Sequence, residues 1–143
     1  MHATVWFGWH CRRTERTTNE QFSCRRAGRR AGRDGRYGIS LLPLKSAFPW
    51  LTLLTNVLGA LVIGFVVGVT ADNAASPNTV LFWKTGVCGG FTTFSTFSLE
   101  TLRLLEGGQT GAGLLYAGAS VVLCVAGVWI GEALGRTLLR RGG

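Results

Sequence analysis

PWLTLLTNVLGALVIGFVVGVT, residues 49–70, contains no Asp, Glu, Lys or Arg. A helix of that length measures about 33 Å, which is enough to cross the hydrocarbon core of a bilayer. A second uncharged run, GLLYAGASVVLCVAGVWIG, covers residues 113–131, and a third, TVLFWKTGVCGGFTTFSTFSL, covers residues 79–99 with Lys84 near one end. Three such runs exceed what a soluble domain of 143 residues can cover with its own surface. The sequence therefore predicts an all-α, multi-pass membrane protein.

Charge is concentrated at the amino-terminal end of the chain. Residues 1–45 hold ten of the fifteen Lys and Arg and three of the seven acidic residues, so the net charge of +8 divides into +7 for this segment and +1 for the remainder. Within it, TERTTNEQFSCRRAGRRAGRDG, residues 14–35, carries nine charges and has no run that could cross a bilayer. We expect a disordered basic tail over residues 1–35 and a membrane domain over residues 36–143.

The third apolar run has an unusual composition at CGGFTTFSTFSLE, residues 88–100. Gly89 and Gly90 are poor helix formers, so we expect the helix to break at this pair. A broken helix at bilayer depth leaves backbone carbonyls that protein, water or ions must satisfy. Broken helices of this kind mark ion sites in many transport proteins, which favours an ion site here.

Hydroxyl and phenyl side chains follow the glycine pair. Phe94, Phe97 and Ser98 fall on one helical face, because steps of three and four residues return to the same side. The positive edges of phenyl rings, with hydroxyl donors between them, suit a small anion that has lost part of its water. The alternative is that the rings only pack and the hydroxyls bond to helix carbonyls. The hydroxyl residues are Thr92, Thr93, Ser95, Thr96 and Ser98.

The string GGFTTFSTFS, with TLLTNVLGALVIGF in the first apolar run and a tyrosine four residues before a serine in the last, resembles the Fluc (CrcB-type) fluoride ion channels over about residues 36–140. The resemblance implies a four-helix chain that forms an antiparallel homodimer, binds a structural sodium ion at the dimer centre and exports fluoride by passive flow through the plasma membrane. The family's first helix would precede Arg36, where this chain is rich in arginine. We therefore expect three readable transmembrane helices, one of them broken at Gly89-Gly90.

The same resemblance assigns roles to individual residues. Asn56 is expected to donate a hydrogen bond to fluoride, and Arg36 to draw anions into a vestibule. Gly89 and Thr92 are expected to ligate sodium through backbone carbonyls. Judged from the residues alone, Asn56 equally fits a hydrogen bond between helices, and Arg36 an ordinary exposed arginine at the membrane interface. The expected fluoride path comprises Thr52, Asn56, Phe94, Ser95, Thr96, Phe97, Ser98, Tyr116 and Ser120.

Other functions find less support in the sequence. No Ser-His-Asp or Cys-His arrangement suggests an enzyme, and a small multidrug or cation exporter would need a charged residue deep within a span. A further alternative is a damaged, non-conducting channel copy whose basic tail binds anionic lipid or nucleic acid through eight arginines of residues 12–33. Aromatic residues are not interleaved with the arginines between residues 23 and 36, so no nucleic acid is expected. The expected partners are fluoride, the lipid bilayer and a second copy of the chain.

Overall fold

The computed structural model describes residues 19–43, 46–71 and 76–142, and no β-strand occurs among them. The prediction of an all-α protein is confirmed. The elements in chain order are α1 (Asn19–Ser40), α2 (Trp50–Val69), α3 (Pro77–Val80), a π-helix (Leu81–Cys88), α4 (Gly89–Phe91), α5 (Phe94–Glu106) and α6 (Thr110–Gly142).

Helices α2 and α6 form the central pair of the fold and its most extensive helix contact. Of the described helices, these two are long and apolar enough to cross a membrane, so two of the three predicted spans are continuous helices. Their backbones approach closely because glycines face the partner helix. A Cβ at Gly64 would overlap the carbonyl of Val128, and one at Gly131 would overlap the carbonyl of Leu61. Small residues at helix contacts are how membrane helices gain close packing.

The third predicted span is divided, as expected, but the break lies elsewhere. Gly89 has helical dihedral angles, φ −68° and ψ −22°, and α4 continues to Phe91. The chain becomes extended at Thr92, with ψ 153°, and at Thr93, with φ −143°. The predicted position at Gly89-Gly90 is therefore wrong by three residues. The low helix propensity of glycine does not decide where the helix breaks; the bonding of the Thr93 N–H to a group outside the helix does.

A tight reversal joins α5 to α6. The N–H of Gln109 donates to the carbonyl of Leu104 at 2.9 Å, and that of Gly108 donates to the carbonyl of Leu105 at 3.1 Å. This pattern closes a helix with a left-handed residue, and Gly108 has φ 75°. The reversal lays α5 against α6 and buries Leu104 between them.

Helix α1 differs from the disordered tail expected over residues 1–35. It is continuous from Asn19 to Ser40 and so crosses the expected boundary at residue 36, while residues 1–18 lie outside the described part of the chain. Arginine is a good helix former. Gly28 and Gly32, one turn apart, also give the helix a buried face, where added Cβ atoms would overlap the carbonyls of Phe82 and Val87. This face packs on the π-helix and α4.

Candidate functional site

The break between α4 and α5 is completed by a side chain of α2. The Thr93 N–H donates to Oδ1 of Asn56 at 2.9 Å, and the Thr93 hydroxyl accepts from the N–H of Thr96 at 3.2 Å, capping α5. Gly59, one turn beyond Asn56, lets the two segments approach, because a Cβ there would overlap the side chain of Thr92. The amide oxygen of Asn56 is thereby engaged, which leaves its two N–H donors for another partner.

A carboxylate joins three helices nearby. Thr52 of α2 donates to Oε1 of Glu100 at 2.9 Å, and Tyr116 of α6 donates to Oε2 of the same residue at 2.8 Å. Tyr116 is completely buried, with 0% of its surface exposed. Hydrogen bonds to a carboxylate are stronger than those between neutral groups. We call Thr52, Glu100 and Tyr116 the carboxylate node.

Aromatic rings connect this node to the break. Phe97 lies 5.3 Å from Tyr116 between ring centroids, and Phe94 lies 5.5 Å from Phe97. Phe48 contacts the other side of Tyr116 edge-on at 5.5 Å. Phe94 is 79% exposed, so its ring presents a bare surface beside the break. The structure therefore brings together Phe94, Phe97 and Tyr116, three residues that the resemblance assigned to one path.

The predicted hydroxyl residues separate into distinct roles. Thr92 and Ser98 bond back to helix carbonyls, those of Cys88 and Phe94, as the alternative interpretation of the sequence expected. Ser95 and Thr96 are exposed. Ser120 is buried at 5% exposure, and its Oγ has no hydrogen-bond partner among the described residues. A buried hydroxyl without a partner is costly, so Ser120 is suited to a ligand or a water molecule.

A pocket of about 350 Å³ opens beside the carboxylate node. It lies where α2 begins and α5 turns into α6. Thr52 and Glu100 line it, so the node is reached directly from the pocket. Arg103, one turn beyond Glu100, supplies a positive charge at the same place. Further lining residues include Phe48, Trp50 and Gln109.

The three helices carry the candidate residues away from this pocket in the same direction. From Thr52, α2 reaches Asn56 after one turn, and from Tyr116, α6 reaches Ser120 after one turn, each a rise of about 6 Å. Helix α5 passes back from Glu100 through Phe97 to Phe94 at the break. The polar row is our name for these seven residues: Thr52, Asn56, Glu100, Phe97, Phe94, Tyr116 and Ser120. The row runs from the pocket to the break.

The break also releases a backbone carbonyl. In an unbroken helix the N–H of Thr93 would donate to the carbonyl of Gly89. Here that N–H donates to Asn56, and Gly89 is exposed with open space beside its Cα. Free carbonyl oxygens are hard ligands that suit a sodium ion, so the freed carbonyl of Gly89 fits the sodium ion that the resemblance predicts at Gly89 and Thr92.

Two residues differ from what the sequence suggested. Arg36 lies partly buried on α1, and none of the contacts that join the polar row involves it. Glu100 is not among the site residues predicted from the sequence, yet it is the centre of the node. The signal for it was present, because Phe97, Glu100 and the buried Leu104 follow one another in steps of three and four.

The chain matches known proteins over most of its length. Residues 27–132 match the family described as CrcB-like protein, Camphor Resistance (CrcB). A protein of Thermus thermophilus named fluoride-specific ion channel FluC is 44% identical over 107 residues, which cover 73% of this chain and 86% of the relative. The FluC of Rhizobium meliloti is 45% identical over 117 residues, covering 79% and 94%, and FluC 1 of Streptomyces avermitilis is 46% identical over 97 residues, covering 62% and 75%. With this extent of similarity, and with its broken helix and polar row set among apolar helices, the chain belongs to the CrcB-like family.

Proposed function

We propose that this protein is a passive, fluoride-selective ion channel of the cell membrane that lowers the fluoride concentration of the cytoplasm. The observation that carries the proposal is the polar row, which extends from an open pocket to the break between otherwise apolar helices. The relatives named as fluoride-specific ion channels support the choice of ion.

Arg103 attracts the anion to the pocket, where Thr52 offers a hydroxyl donor, and the buried hydroxyl of Tyr116 is the second donor, on the other oxygen of the Glu100 carboxylate. Fluoride accepts hydrogen bonds and donates none, so it competes with the carboxylate of Glu100 for these two donors. The carboxylate therefore holds the donors in place between ions and gives one up when an ion arrives. A site of this kind binds an ion without trapping it, which conduction requires.

Beyond the node, the ion passes the rings of Phe97 and Phe94. Phenyl edges carry partial positive charge and replace part of the lost water without forming a strong bond. The free Oγ of Ser120 and the N–H groups of Asn56 supply further donors along the path. The bond from Thr93 to Oδ1 of Asn56 fixes the amide so that its acceptor faces the break and its donors face away from it.

We propose in addition that two copies assemble in antiparallel orientation, with a sodium ion held between them by the carbonyls of Gly89 and Thr92. The exposure of Gly89 and of the Phe94 ring in a single copy supports a contact with a second copy. The sodium ion would balance the partial negative charge of the freed carbonyl oxygens. The Thr92 hydroxyl donates to the carbonyl of Cys88, which ties Thr92 to the helical turn before the break.

Fluoride efflux from liposomes that carry the full chain tests the channel proposal. An ion-selective electrode should record fluoride release well above that of protein-free liposomes, and chloride release close to background. Equal release of both anions would contradict fluoride selectivity. No release from folded protein would instead favour a non-conducting member of the family.

Assembly and sodium binding are tested separately. Light scattering in detergent should give the mass of two chains, and a single-chain mass would contradict the dimer. The unfolding temperature should be higher in sodium chloride than in N-methylglucamine chloride at the same ionic strength. Equal unfolding temperatures in the two salts would remove the structural sodium ion from the proposal.

A further inference from the structure

The pocket beside the carboxylate node is larger than the passage of fluoride requires. Its volume is about 350 Å³. A water molecule, which is close to fluoride in size, occupies about 30 Å³ in the liquid, so the pocket has room for about ten such bodies. Pockets that bind organic small molecules begin at roughly 300 Å³. The pocket therefore has the size of a site for a small organic ligand.

One wall of the pocket is a series of aromatic rings. Phe48 and Trp50 line it, with ring centroids 4.5 Å apart and planes tilted by 46°. Phe48 in turn contacts the completely buried Tyr116 edge-on at 5.5 Å, so the series is anchored in the core of the fold. Trp50, at the outer end, is 52% exposed. An incoming ring would find an aromatic surface already in place.

The backbone at the rim of the pocket is also fixed. The N–H of Phe48 donates to the hydroxyl of Ser46 at 3.2 Å, and the N–H of Trp50 donates to the carbonyl of Phe48 at 2.9 Å. Pro49 stands between these two residues with φ −79°, an angle that its ring restricts. A ligand would not have to order this rim, and a site formed in advance loses less entropy on binding.

The charge at the opening of the pocket is positive. Arg103 lines the pocket and is exposed, and among the described residues it forms no ion pair. Glu100 lies one turn deeper, and each oxygen of its carboxylate already accepts a hydrogen bond, from Thr52 or from Tyr116. The donors of the Arg103 guanidinium group thus remain available to a ligand, beside the aromatic wall.

This combination selects one class of ligand. The planar fork of an arginine side chain forms two parallel hydrogen bonds with the oxygens of an acidic group. Aromatic rings gain further free energy by packing against one another. An inorganic anion would use the charge and leave the rings bare, and an organic cation would be repelled by Arg103. A ring that carries one negative charge uses both features.

We propose that the pocket binds small aromatic monoanions, with the carboxylate or sulfonate group at Arg103 and the ring against Trp50 and Phe48. Thr52 and Glu100 line the same pocket, so the bound ligand closes the way from the opening to the carboxylate node. The ligand therefore blocks fluoride, and this part of the inference rests on the proposed channel function. Binding itself does not depend on conduction.

Binding is tested by the unfolding temperature of the full chain in detergent during titration with benzenesulfonate, at constant sodium concentration and ionic strength. Benzenesulfonate should raise the unfolding temperature, because a ligand that binds the folded state stabilises it. Methanesulfonate lacks the ring, benzenesulfonamide lacks the charge and phenyltrimethylammonium reverses the charge, so each should have a much smaller effect. Equal stabilisation by any of these three, or no stabilisation by benzenesulfonate, would overturn the proposal.

Two variants locate the binding site. Arg103→Gln should raise the dissociation constant of benzenesulfonate about tenfold, since a hydrogen-bonded charge pair is lost. Trp50→Ala should raise it about three- to tenfold, since the ring contact is lost. The matched controls are Arg140→Gln and Trp129→Ala. Both residues are exposed on α6, and Trp129 lies about 20 Å beyond Tyr116 along the helix.

The control variants should bind benzenesulfonate as the wild type does. Equal affinities of Arg103→Gln and Arg140→Gln, or of Trp50→Ala and Trp129→Ala, would place the ligand elsewhere and overturn the assignment of the pocket.

Block is tested by fluoride efflux from liposomes that carry the full chain. Benzenesulfonate stays ionised and does not cross the bilayer, and it should lower the efflux with a half-maximal concentration close to its dissociation constant. Methanesulfonate should leave the efflux unchanged. Binding without a decrease in efflux would contradict the block. A chain that binds benzenesulfonate but releases no fluoride under any condition would refute the channel proposal and leave the binding site in place.

Discussion

The carboxylate node makes a prediction for the variant Tyr116→Phe. This change removes one oxygen atom and keeps the ring that contacts Phe97 and Phe48. The lost hydroxyl is the donor to Oε2 of Glu100 at 2.8 Å, within a site that is closed to solvent around Tyr116. The difference in stability between the variant and the wild type therefore reports the hydrogen bond alone, because the ring contacts are kept.

The size of the effect follows from the charge and burial of the partners. A hydrogen bond to a charged group contributes about 1.5–3 kcal/mol, and an unpartnered buried acceptor adds its own desolvation cost. We expect Tyr116→Phe to lower the free energy of unfolding by about 2–3 kcal/mol. The matched control is Tyr37→Phe, because Tyr37 is 64% exposed, and this change should fall within about 0.5 kcal/mol of the wild type.

Denaturant titration in mixed micelles measures these free energies of unfolding. A double-mutant cycle with Thr52→Val then tests whether the two hydrogen bonds to Glu100 depend on each other. Thr52 and Tyr116 donate to different oxygens of Glu100, so each single change should be destabilising. The pair should deviate from additivity by about 0.5 kcal/mol or more, because both act on one group. Fluoride flux should fall in both single variants, since each removes a donor from the row.

Equal stability of Tyr116→Phe and Tyr37→Phe would refute the stabilising role of the buried hydroxyl. That result would mean that the carboxylate of Glu100 gains nothing from the tyrosine hydroxyl. Additive effects of Thr52→Val and Tyr116→Phe would leave the two hydrogen bonds in place but remove the idea of a single cooperative node.

Three further changes test the path itself. Phe94→Ile should lower fluoride flux about two- to tenfold while the dimer mass is kept, because the ring edge is lost; unchanged flux in folded protein would contradict a role for the ring. Asn56→Asp keeps an acceptor for the Thr93 N–H but replaces donors by a second negative charge on the path, without the arginine that lies one turn from Glu100, so flux should fall about a hundredfold or more; flux at the wild-type level would make Asn56 purely structural. Arg103→Gln should reduce flux severalfold at low salt and less at high salt, whereas Arg140→Gln should not; identical behaviour of the two variants would remove Arg103 from the pocket's function.

The continuous spans could be predicted because composition alone determines them. An uncharged run as long as residues 49–70 has few stable states other than a helix within a bilayer. Helix α1 could not be predicted in this way. The packing surface of α1 is formed by Gly28 and Gly32, which stand among arginines in the sequence. Glycine has no apolar side chain, so this surface produces no hydrophobic periodicity that could indicate a buried helix face. The contact becomes visible only beside the backbone of the π-helix.

The candidate site was predictable where the residue pattern reflects local geometry. Helical spacing placed Phe94 and Phe97 on one face, and the family resemblance added Tyr116, which the structure brings against Phe97. The break was misplaced because Gly89 and Gly90 have low helix propensity, whereas the tertiary bond from Thr93 to Asn56 decides its position. Glu100 was missed for a related reason. A carboxylate near the end of a span is ordinarily solvated, and only the fold shows that Thr52 and Tyr116 satisfy both of its oxygens.

The bond between Asn56 and Thr93 has a consequence for biosynthesis. Separated from α2, the segment from Pro77 to Glu106 has no acceptor for the Thr93 N–H except its own carbonyl at Gly89, so the nascent segment gains by inserting as an unbroken helix. The break then forms only when α2 packs against this segment, because Oδ1 of Asn56 replaces the Gly89 carbonyl as the acceptor for the Thr93 N–H. The break is thus a product of helix assembly, and a chain that fails to bring α2 against this segment leaves a plain helix in the membrane, with the Gly89 carbonyl bonded to the Thr93 N–H.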